Sequence, residues 1–339
     1  MIREKVKELW KRCFSDSEEF TEMYFRLRYN NDVNMAIQSG EEVIAALQML
    51  PYPMTFGGTE IRTAYVSGAC THPDYRNRGV MHELLSHTFV RMLHDGVVLS
   101  TLIPAEPWLF DYYTRHGYAP IFRYAEKEFI APCEAPATGA PFTLEISDAY
   151  AEKSYEYLNR RLRGRPCCLQ HTEEDFRVII ADLQLSHGLI GTLNHEERIV
   201  ALAVAYPLEE GGWRIGEIVS DTPETETLLL QHICRKLGLP SIRILTPPIS
   251  GNSHPLGMAR IICAETMLRL YAAAHPELEL SIYLTDEQVS TNNGYHYLNN
   301  GKYMNSAKRL PGRHLALTIG ELTEKIFAAS SPYMSLMLN

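Results

Sequence analysis

Tyr65-Val66-Ser67-Gly68-Ala69-Cys70-Thr71-His72-Pro73-Asp74-Tyr75-Arg76-Asn77-Arg78-Gly79-Val80-Met81 is the stretch that decides the fold. An apolar strand runs into a loop carrying proline and Arg-x-x-Gly, and a helix opens at the glycine. Consecutive backbone N–H groups at a helix N-terminus form a cradle for phosphate oxygens. Gly79 lets a diphosphate come close, and Arg76 and Arg78 supply flanking positive charge. Taken alone, Arg-x-x-Gly reads better as a plain strand-loop-helix joint with two solvated arginines, so the surroundings have to decide.

Before the stretch, Ile2–Phe14 places Val6, Leu9, Trp10, Cys13 and Phe14 on one face at helical spacing. Ser15-Asp16-Ser17, followed by Glu18 and Glu19, reads as the start of a second helix. Strands are predicted at Met35–Gln38, Val43–Tyr52 and Glu60–Thr71, separated by the turns Ser39-Gly40 and Gly57-Gly58. After it come a helix from Gly79 to His94, a strand Val97–Leu102, a short aromatic helix around Trp108–His116 and a strand Tyr118–Ile130. Pro132–Pro141 is a linker by composition, and the order then repeats loosely. Helices fall near Ala149–Arg163 and Thr172–Leu185, and strands near Gly188–Leu193, Arg198–Tyr206 and Trp213–Val219. A helix Glu224–Leu237 and a strand Ser241–Leu245 follow. A second linker, Pro247–Pro255, precedes a strand, the amphipathic helix Met267–Ala273, several short strands and a helix near Ile319–Ala329. The chain thus divides into residues 1–131, 142–246 and 256–339.

At 339 residues the chain exceeds one ordinary hydrophobic core. Its 45% hydrophobic and 22% charged residues are those of a globular protein. The net charge of -9 argues against a nucleic-acid or polybasic membrane partner; an acidic surface attracts cationic small molecules, but the same charge is read first as serving solubility. No segment approaches the roughly 20 apolar residues of a membrane span, and Ile199–Tyr206 reads as a buried strand. The start is charged and amphipathic, without the apolar core of a signal peptide. The seven cysteines include no CxxC, and the vicinal pair Cys167-Cys168 is unsuited to a structural disulfide. Cys13, Cys70, Cys234 and Cys263 lie in apolar segments as buried free thiols do, and a cytoplasmic location is expected. His72, His82, His87, His94 and His116 read as surface or packing residues, and no metal is assigned.

In this setting Pro73, Arg76 and Gly79 resemble the central motif of GNAT acetyltransferases, Pro-x-x-Arg-x-x-Gly-x-Gly/Ala, with Met81 departing from it. The resemblance implies that Arg76, Asn77, Arg78, Gly79, Val80 and Met81 hold the pyrophosphate of acetyl-CoA. Main-chain groups of Ala69, Cys70 and Thr71 would pair with its pantetheine arm. Tyr113-Thr114-Arg115-His116-Gly117-Tyr118 is similar to the GNAT segment whose tyrosine is the general acid, which makes Tyr113 the catalytic candidate. Attack of an amine on a thioester expels a thiolate, and a phenol lies only about 1.5 pKa units above a thiol. A packing role for Tyr113 is the alternative, and Tyr112 is the rival hydroxyl.

The whole chain resembles the Eis-type (enhanced intracellular survival) acetyltransferases. The fold class implied is α/β (α+β): a GNAT domain with a mixed central sheet, a degenerate second GNAT-like domain and a small C-terminal sterol-carrier-like α+β domain. The tail carries that resemblance at Gly257–Leu268, Leu278–Leu284, Gly301–Tyr303 and Leu315–Gly320. Cys13-Phe14-Ser15-Asp16 resembles the segment lining the family's amine pocket. Asp16 is then either a helix cap, a carboxylate holding an ammonium, or both. In the family the chain terminus reaches the active site as a base, a role that would fall to the carboxylate of Asn339, behind a tail in which Met334, Leu336 and Leu338 alternate as a short strand. The resemblance implies acetyl transfer from acetyl-CoA to a primary amine of a small cationic acceptor, aminoglycoside- or polyamine-like, by an enzyme that forms a homo-oligomer. A protein-lysine or N-terminal acetyltransferase, or a non-catalytic acyl-CoA- or lipid-binding protein, are the other readings.

Overall fold

The protein is described here by a computed structural model covering residues 2–132, 142–248 and 252–338. Helix α1 (Ile2–Cys13) buries Val6, Leu9 and Trp10, the face set by helical spacing. Helix α2 (Glu18–Leu27) begins after Ser17, which sits in extended backbone and accepts from the N–H of Phe20 through its hydroxyl at 3.1 Å. Ser17, not Asp16, is therefore the cap. Asp16 instead turns back to accept the indole N–H of Trp10 at 2.7 Å.

The hairpin strands β1 (Asn34–Ser39), β2 (Glu42–Phe56) and β3 (Thr59–Thr71) lead to α3 (Val80–His94), β4 (Leu99–Leu102), α4 (Pro107–Thr114) and β5 (Ala119–Ile130). The second region contributes β6 (Phe142–Ser147), α5 (Glu152–Arg163), α6 (Glu173–Leu185), β7 (Leu189–His195), β8 (Arg198–Pro207), β9 (Trp213–Ser220), α7 (Pro223–Leu237) and β10 (Ser241–Thr246). The third adds β11 (His254–Ile261), α8 (Ala264–Ala274), β12 (Leu280–Thr285), β13 (Gly294–Asn299), β14 (Lys302–Ser306), β15 (Leu315–Thr318) and α9 (Ile319–Phe327).

Eleven strands join in one mixed sheet ordered β1-β2-β3-β4-β11-β5-β10-β9-β8-β7-β6, and β14-β13-β12-β15 form a small separate sheet. Each half of the large sheet contains a parallel strand-helix-strand unit: β3-α3-β4 in the first, β9-α7-β10 in the second. The halves meet where β10 runs antiparallel to β5, from Ser241 opposite Ile130 to Thr246 opposite Ala125. A buried ion pair between Arg28 and Asp175, at 2.5 Å, also crosses between them.

The chain regions do not map one-to-one onto the sheets. Strand β11, which the sequence assigns mainly to residues 256–339, lies between β4 and β5 and pairs antiparallel with both. Met258, Ala259 and Ile261 are fully buried there, which an edge of a separate small domain would not provide. Residues 331–338 also differ from the expected terminal strand. They make one isolated parallel bridge, Tyr333 with Cys168, and Leu336 adopts a positive φ of 54°. Cys13 and Cys263 are half-buried, whereas Cys70, Cys167, Cys168 and Cys234 are buried, and all six are free thiols. No helix among the described residues is long and apolar enough to cross a membrane.

The insertion of β11 is fixed by Arg260, whose side chain is fully buried. Its guanidinium donates to the carbonyls of His116 and Ile261, both at 2.9 Å, and to Asp286 at 2.6 Å. Asp286 also accepts from the backbone N–H groups of Gln288 and Val289 and from the amide of Asn292. One ion pair thus ties the inserted strand, the end of α4 and the small sheet together. Removing one member of a buried pair leaves an uncompensated charge. Asp286→Ala is expected to lower unfolding stability by about 3–5 kcal/mol, read as a shift of the urea midpoint, while a control at an exposed carboxylate leaves it in place.

Candidate active site

The site grows from the way β3 parts from β4. Parallel pairing covers only Thr63 with Leu99, Ala64 with Ser100 and Tyr65 with Thr101, because β4 is four residues long and its other edge is taken by β11. Beyond Tyr65, β3 continues to Thr71 with β2 as its one strand partner. Within that span the register slips between Ala46, opposite Cys70, and Gln48, opposite Ser67. Two β3 residues, Gly68 and Ala69, therefore face Leu47 alone, which is a β-bulge. Gly68 has φ +61°, and a Cβ there would stand 2.0 Å from the Trp10 ring, so only glycine lets the indole close over the bulge. The bulge bends the strand and leaves its last residues presenting main-chain groups along one edge.

The loop after β3 carries two positive φ values, Asn77 at 61° and Gly79 at 78°. Gly79 is the N-cap of α3 and supplies no side-chain cap, so the first N–H groups of the helix point outward unpaired. A Cβ at Gly79 would meet nothing within 4 Å, so the approach to the helix start is open. The counterpart helix α7 begins differently. Thr222 accepts from the N–H of Thr225, whose side chain in turn caps Thr222, and Glu224 and Glu226 occupy the first turn. The first N–H groups are thus left without a side-chain cap at one parallel crossover and are capped at the other.

A cleft of about 580 Å³ joins these features. Ala69, Cys70 and Thr71 line it from the strand edge, and Arg76, Asn77, Gly79, Val80 and Met81 from the loop and helix start. Arg78 does not line it, and its guanidinium lies over the Tyr75 ring, 5.5 Å from the centroid. Tyr112 and Tyr113 close the other side from α4. Tyr113 is buried, its hydroxyl has no hydrogen-bond partner among the described residues, and burial raises its phenol far above the ordinary value. The phenol is therefore fully protonated at neutral pH. Tyr112 is half-buried and raised by burial less strongly, with its ring 4.6 Å from that of His116.

His116 donates from Nδ1 to the Tyr112 carbonyl at 2.9 Å, which leaves its Nε2 to accept from Nδ1 of His82 at 3.2 Å. Burial lowers the His116 pKa and favours this neutral form. Among the described residues no three His, Cys, Asp or Glu side chains converge as a metal site. Asp16 is exposed and does not line the cleft, and Asn339 lies outside the described residues.

Other lining residues escape a reading of the motif alone: Cys13, Tyr75, His82, Glu106 and Trp108. Cys13 donates to the Thr71 carbonyl at 3.4 Å, and a hydrogen bond from Cys70, aided by Arg76, brings its thiol down to about 7. Cys13 thus joins the last turn of α1 to the end of β3. Trp108, 65% exposed, stands at the lip of the cleft, an exposure that shows only once the helix is placed.

The sequence profile of the Acetyltransferase (GNAT) domain family matches residues 3–121. That region is an acetyltransferase domain of the GNAT family, and the chain is an acyltransferase. The fold extends the likeness over almost the whole length. A GCN5-related N-acetyltransferase from Anabaena variabilis superposes with a TM-score of 0.75 at 18% identity, covering 94% of this chain and 86% of that one. One from Kribbella flavida gives 0.75 at 19%, covering 94% and 84%. Eis1 from Mycobacterium abscessus gives 0.72 at 14%, covering 95% and 85%. No curated protein sequence matches the chain.

If the helix start receives a diphosphate, Gly79→Asp puts a negative charge and a strained backbone at the point of approach. Calorimetric titration of acetyl-CoA into that variant is expected to show binding weakened at least 100-fold with folding intact. Parent-like affinity in the folded variant would remove the cradle assignment.

Proposed function

We propose that the protein transfers an acetyl group from acetyl-CoA to a primary amine of a small cationic acceptor, aminoglycoside- or polyamine-like, by direct attack. The observation that carries this reading is the convergence, in one cleft, of a free strand edge, an uncapped helix start and a buried phenol without a partner. Arg76, Asn77, Gly79, Val80 and Met81 would hold the pyrophosphate through main-chain N–H groups and the Arg76 charge, with Arg78 contributing charge from outside the lining. Ala69, Cys70 and Thr71 would take the pantetheine arm. Acetyl-CoA supplies the acetyl group as an activated thioester.

Tyr113 holds its proton at Oη, facing the cleft, and is our general acid for the departing thiolate. Desolvation raises a phenol and a thiol alike, so the ordinary gap of about 1.5 pKa units between them is not widened by burial as such. Asp16 is our candidate for the acceptor's ammonium. One of its oxygens is fixed by the Trp10 indole, and the exposed carboxylate retains its other oxygen for a cation. The net charge of -9 supports a cationic acceptor over an acidic one. A cytoplasmic location and a homo-oligomer remain part of the proposal, as do a degenerate second GNAT-like domain and a sterol-carrier-like C-terminal domain.

Tyr113→Phe is expected to lower turnover about 10²–10⁴-fold with acetyl-CoA affinity little changed. The same loss in Tyr112→Phe, with Tyr113→Phe active, would move the role to the neighbouring hydroxyl. Acetylation of peptides with none of small polyamines would favour a protein acetyltransferase.

For the base we propose the α-carboxylate of Asn339. The tail before it supports this, since Leu338 packs against the α1 and α2 cluster around Trp10, and Met337 against the core beneath β11. An exposed α-carboxylate has a pKa of about 3.3–3.7, and loss of hydration would raise it toward a useful value. A short C-terminal extension is expected to preserve folding and acetyl-CoA binding but abolish most turnover, whereas the same extension at the N-terminus is silent. Full activity of the C-terminally extended protein would reject the assignment.

A further inference from the structure

A second cavity, of about 510 Å³, lies where the two halves of the large sheet meet the C-terminal tail, and it shares no lining residue with the acetyl-CoA cleft. Its floor is β5, β9 and β10, its side the end of α6, and its roof residues 333–338. The roof is held firmly. Glu217, fully buried on β9, accepts from the hydroxyls of Tyr333 and Ser335, and His171 donates to the Ser335 carbonyl at 2.9 Å. Arg165 completes the anchor, 3.7 Å from Glu217 and 3.9 Å from the centroid of the Tyr333 ring.

Against this built frame, three polar side chains inside the cavity have no protein partner. The Nε of Arg214 is buried without a hydrogen bond, and its guanidinium makes no ion pair among the described residues. Asp182 is half-buried, its carboxylate accepts no hydrogen bond from the described residues, and burial alone pushes it up to about 6. Tyr206 lies within electrostatic reach of both and leaves its own hydroxyl unpaired. A buried polar atom without a partner is costly, and Arg214 Nε is one, while the Asp182 carboxylate and the Tyr206 hydroxyl face the same space without a protein partner. Arg214 and Asp182 also stay more than 4 Å apart instead of neutralising each other, which leaves a positive and a negative pole across one phenol. Leu245, Leu256, Leu336 and Met337 add apolar surface to the wall beside Ser186, Thr246 and Ser335.

We propose that this cavity is a binding site for a small zwitterion, an apolar α-amino acid or the like, with its ammonium at Asp182 and its carboxylate at Arg214. A polycation would meet Arg214 and Arg123, and a phosphate-rich ligand would meet Asp182 and Glu126, so neither suits a space with two charges of each sign. Arg123 is already engaged, donating to the hydroxyl and carbonyl of Ser253, and Arg123 and Glu126 are exposed at the rim. The inner pair therefore selects the ligand. The site goes beyond the acetyl-transfer reading and does not depend on it.

The test is a thermal-shift screen of the common L-α-amino acids, spermine and inorganic phosphate on the full chain, followed by calorimetry on the best binder. Its amide, which lacks the carboxylate, and its des-amino acid, which lacks the ammonium, are titrated alongside. The charge-removing variants Asp182→Asn and Arg214→Gln are measured in the same way. The zwitterion is expected to bind at least tenfold more tightly than either truncated analogue. Arg214→Gln should lose that factor for the amino acid but bind the amide as the parent does, and Asp182→Asn should do the same for the des-amino acid. Acetyl-CoA affinity, measured on the same preparations, is expected to be unchanged, which keeps this site and the cleft separately testable. No binding by any amino acid, preference for spermine or phosphate, or parent-like amino-acid binding by both folded variants would overturn the proposal.

Discussion

The pairing of β11 with β4 is the constraint on which the rest of the structure depends. Strand β4 is short, and β11 occupies the edge that β5 would otherwise take. This fixes how far β3 and β4 run together and where they part. The free edge of Val66–Thr71, the bulge at Gly68-Ala69 and the entry to the cleft follow from that parting. A buried arginine ties the same strand to α4 and to the small C-terminal sheet. Chemistry in the first region is thus held in shape by residues more than a hundred positions further along the chain.

The two parallel crossovers show how a repeated scaffold acquires different functions at one position. Both strand-helix-strand units bury similar apolar faces, Leu84, Leu85 and Phe89 on α3 against Leu229, Leu230 and Ile233 on α7. They differ in the first turn. Glycine in a left-handed conformation leaves the α3 N–H groups available, while a threonine capping box with glutamates satisfies and screens those of α7. The difference is a handful of side chains, and it separates a helix start without a side-chain cap from one closed by its own caps.

The C-terminal tail illustrates a different economy. Residues 333–338 form no regular strand, yet hydrogen bonds to Glu217, His171 and the backbone at Cys167 and Leu169 give them a defined path. That path crosses the seam between the halves and ends against the aromatic cluster of α1 and α2, where Trp10 packs with Phe14, Tyr24 and Phe25. A segment stitched by specific polar contacts can line a cavity on one side and pack against the α1 and α2 cluster on the other, which an independently folded strand could not do as readily.

By itself the sequence determined the local elements and the strand-loop-helix motif. Hydrophobic period, glycine turns and the Pro73–Gly79 spacing are encoded in consecutive residues, so α3 and β3 could be read directly, and the lining residues Ala69–Thr71 and Arg76–Met81, apart from Arg78, followed from the family resemblance that the motif carries. The tertiary structure alone decided what depends on residues distant in the chain. It set β11 inside the first sheet, turned Asp16 to Trp10 while Ser17 took the cap, and swung Arg78 over Tyr75. It also gathered Asp182, Tyr206 and Arg214 around one cavity. The physical reason is the same in each case: strand pairing, ring stacking and charge burial act through space, and their partners carry no mark of one another in the linear order.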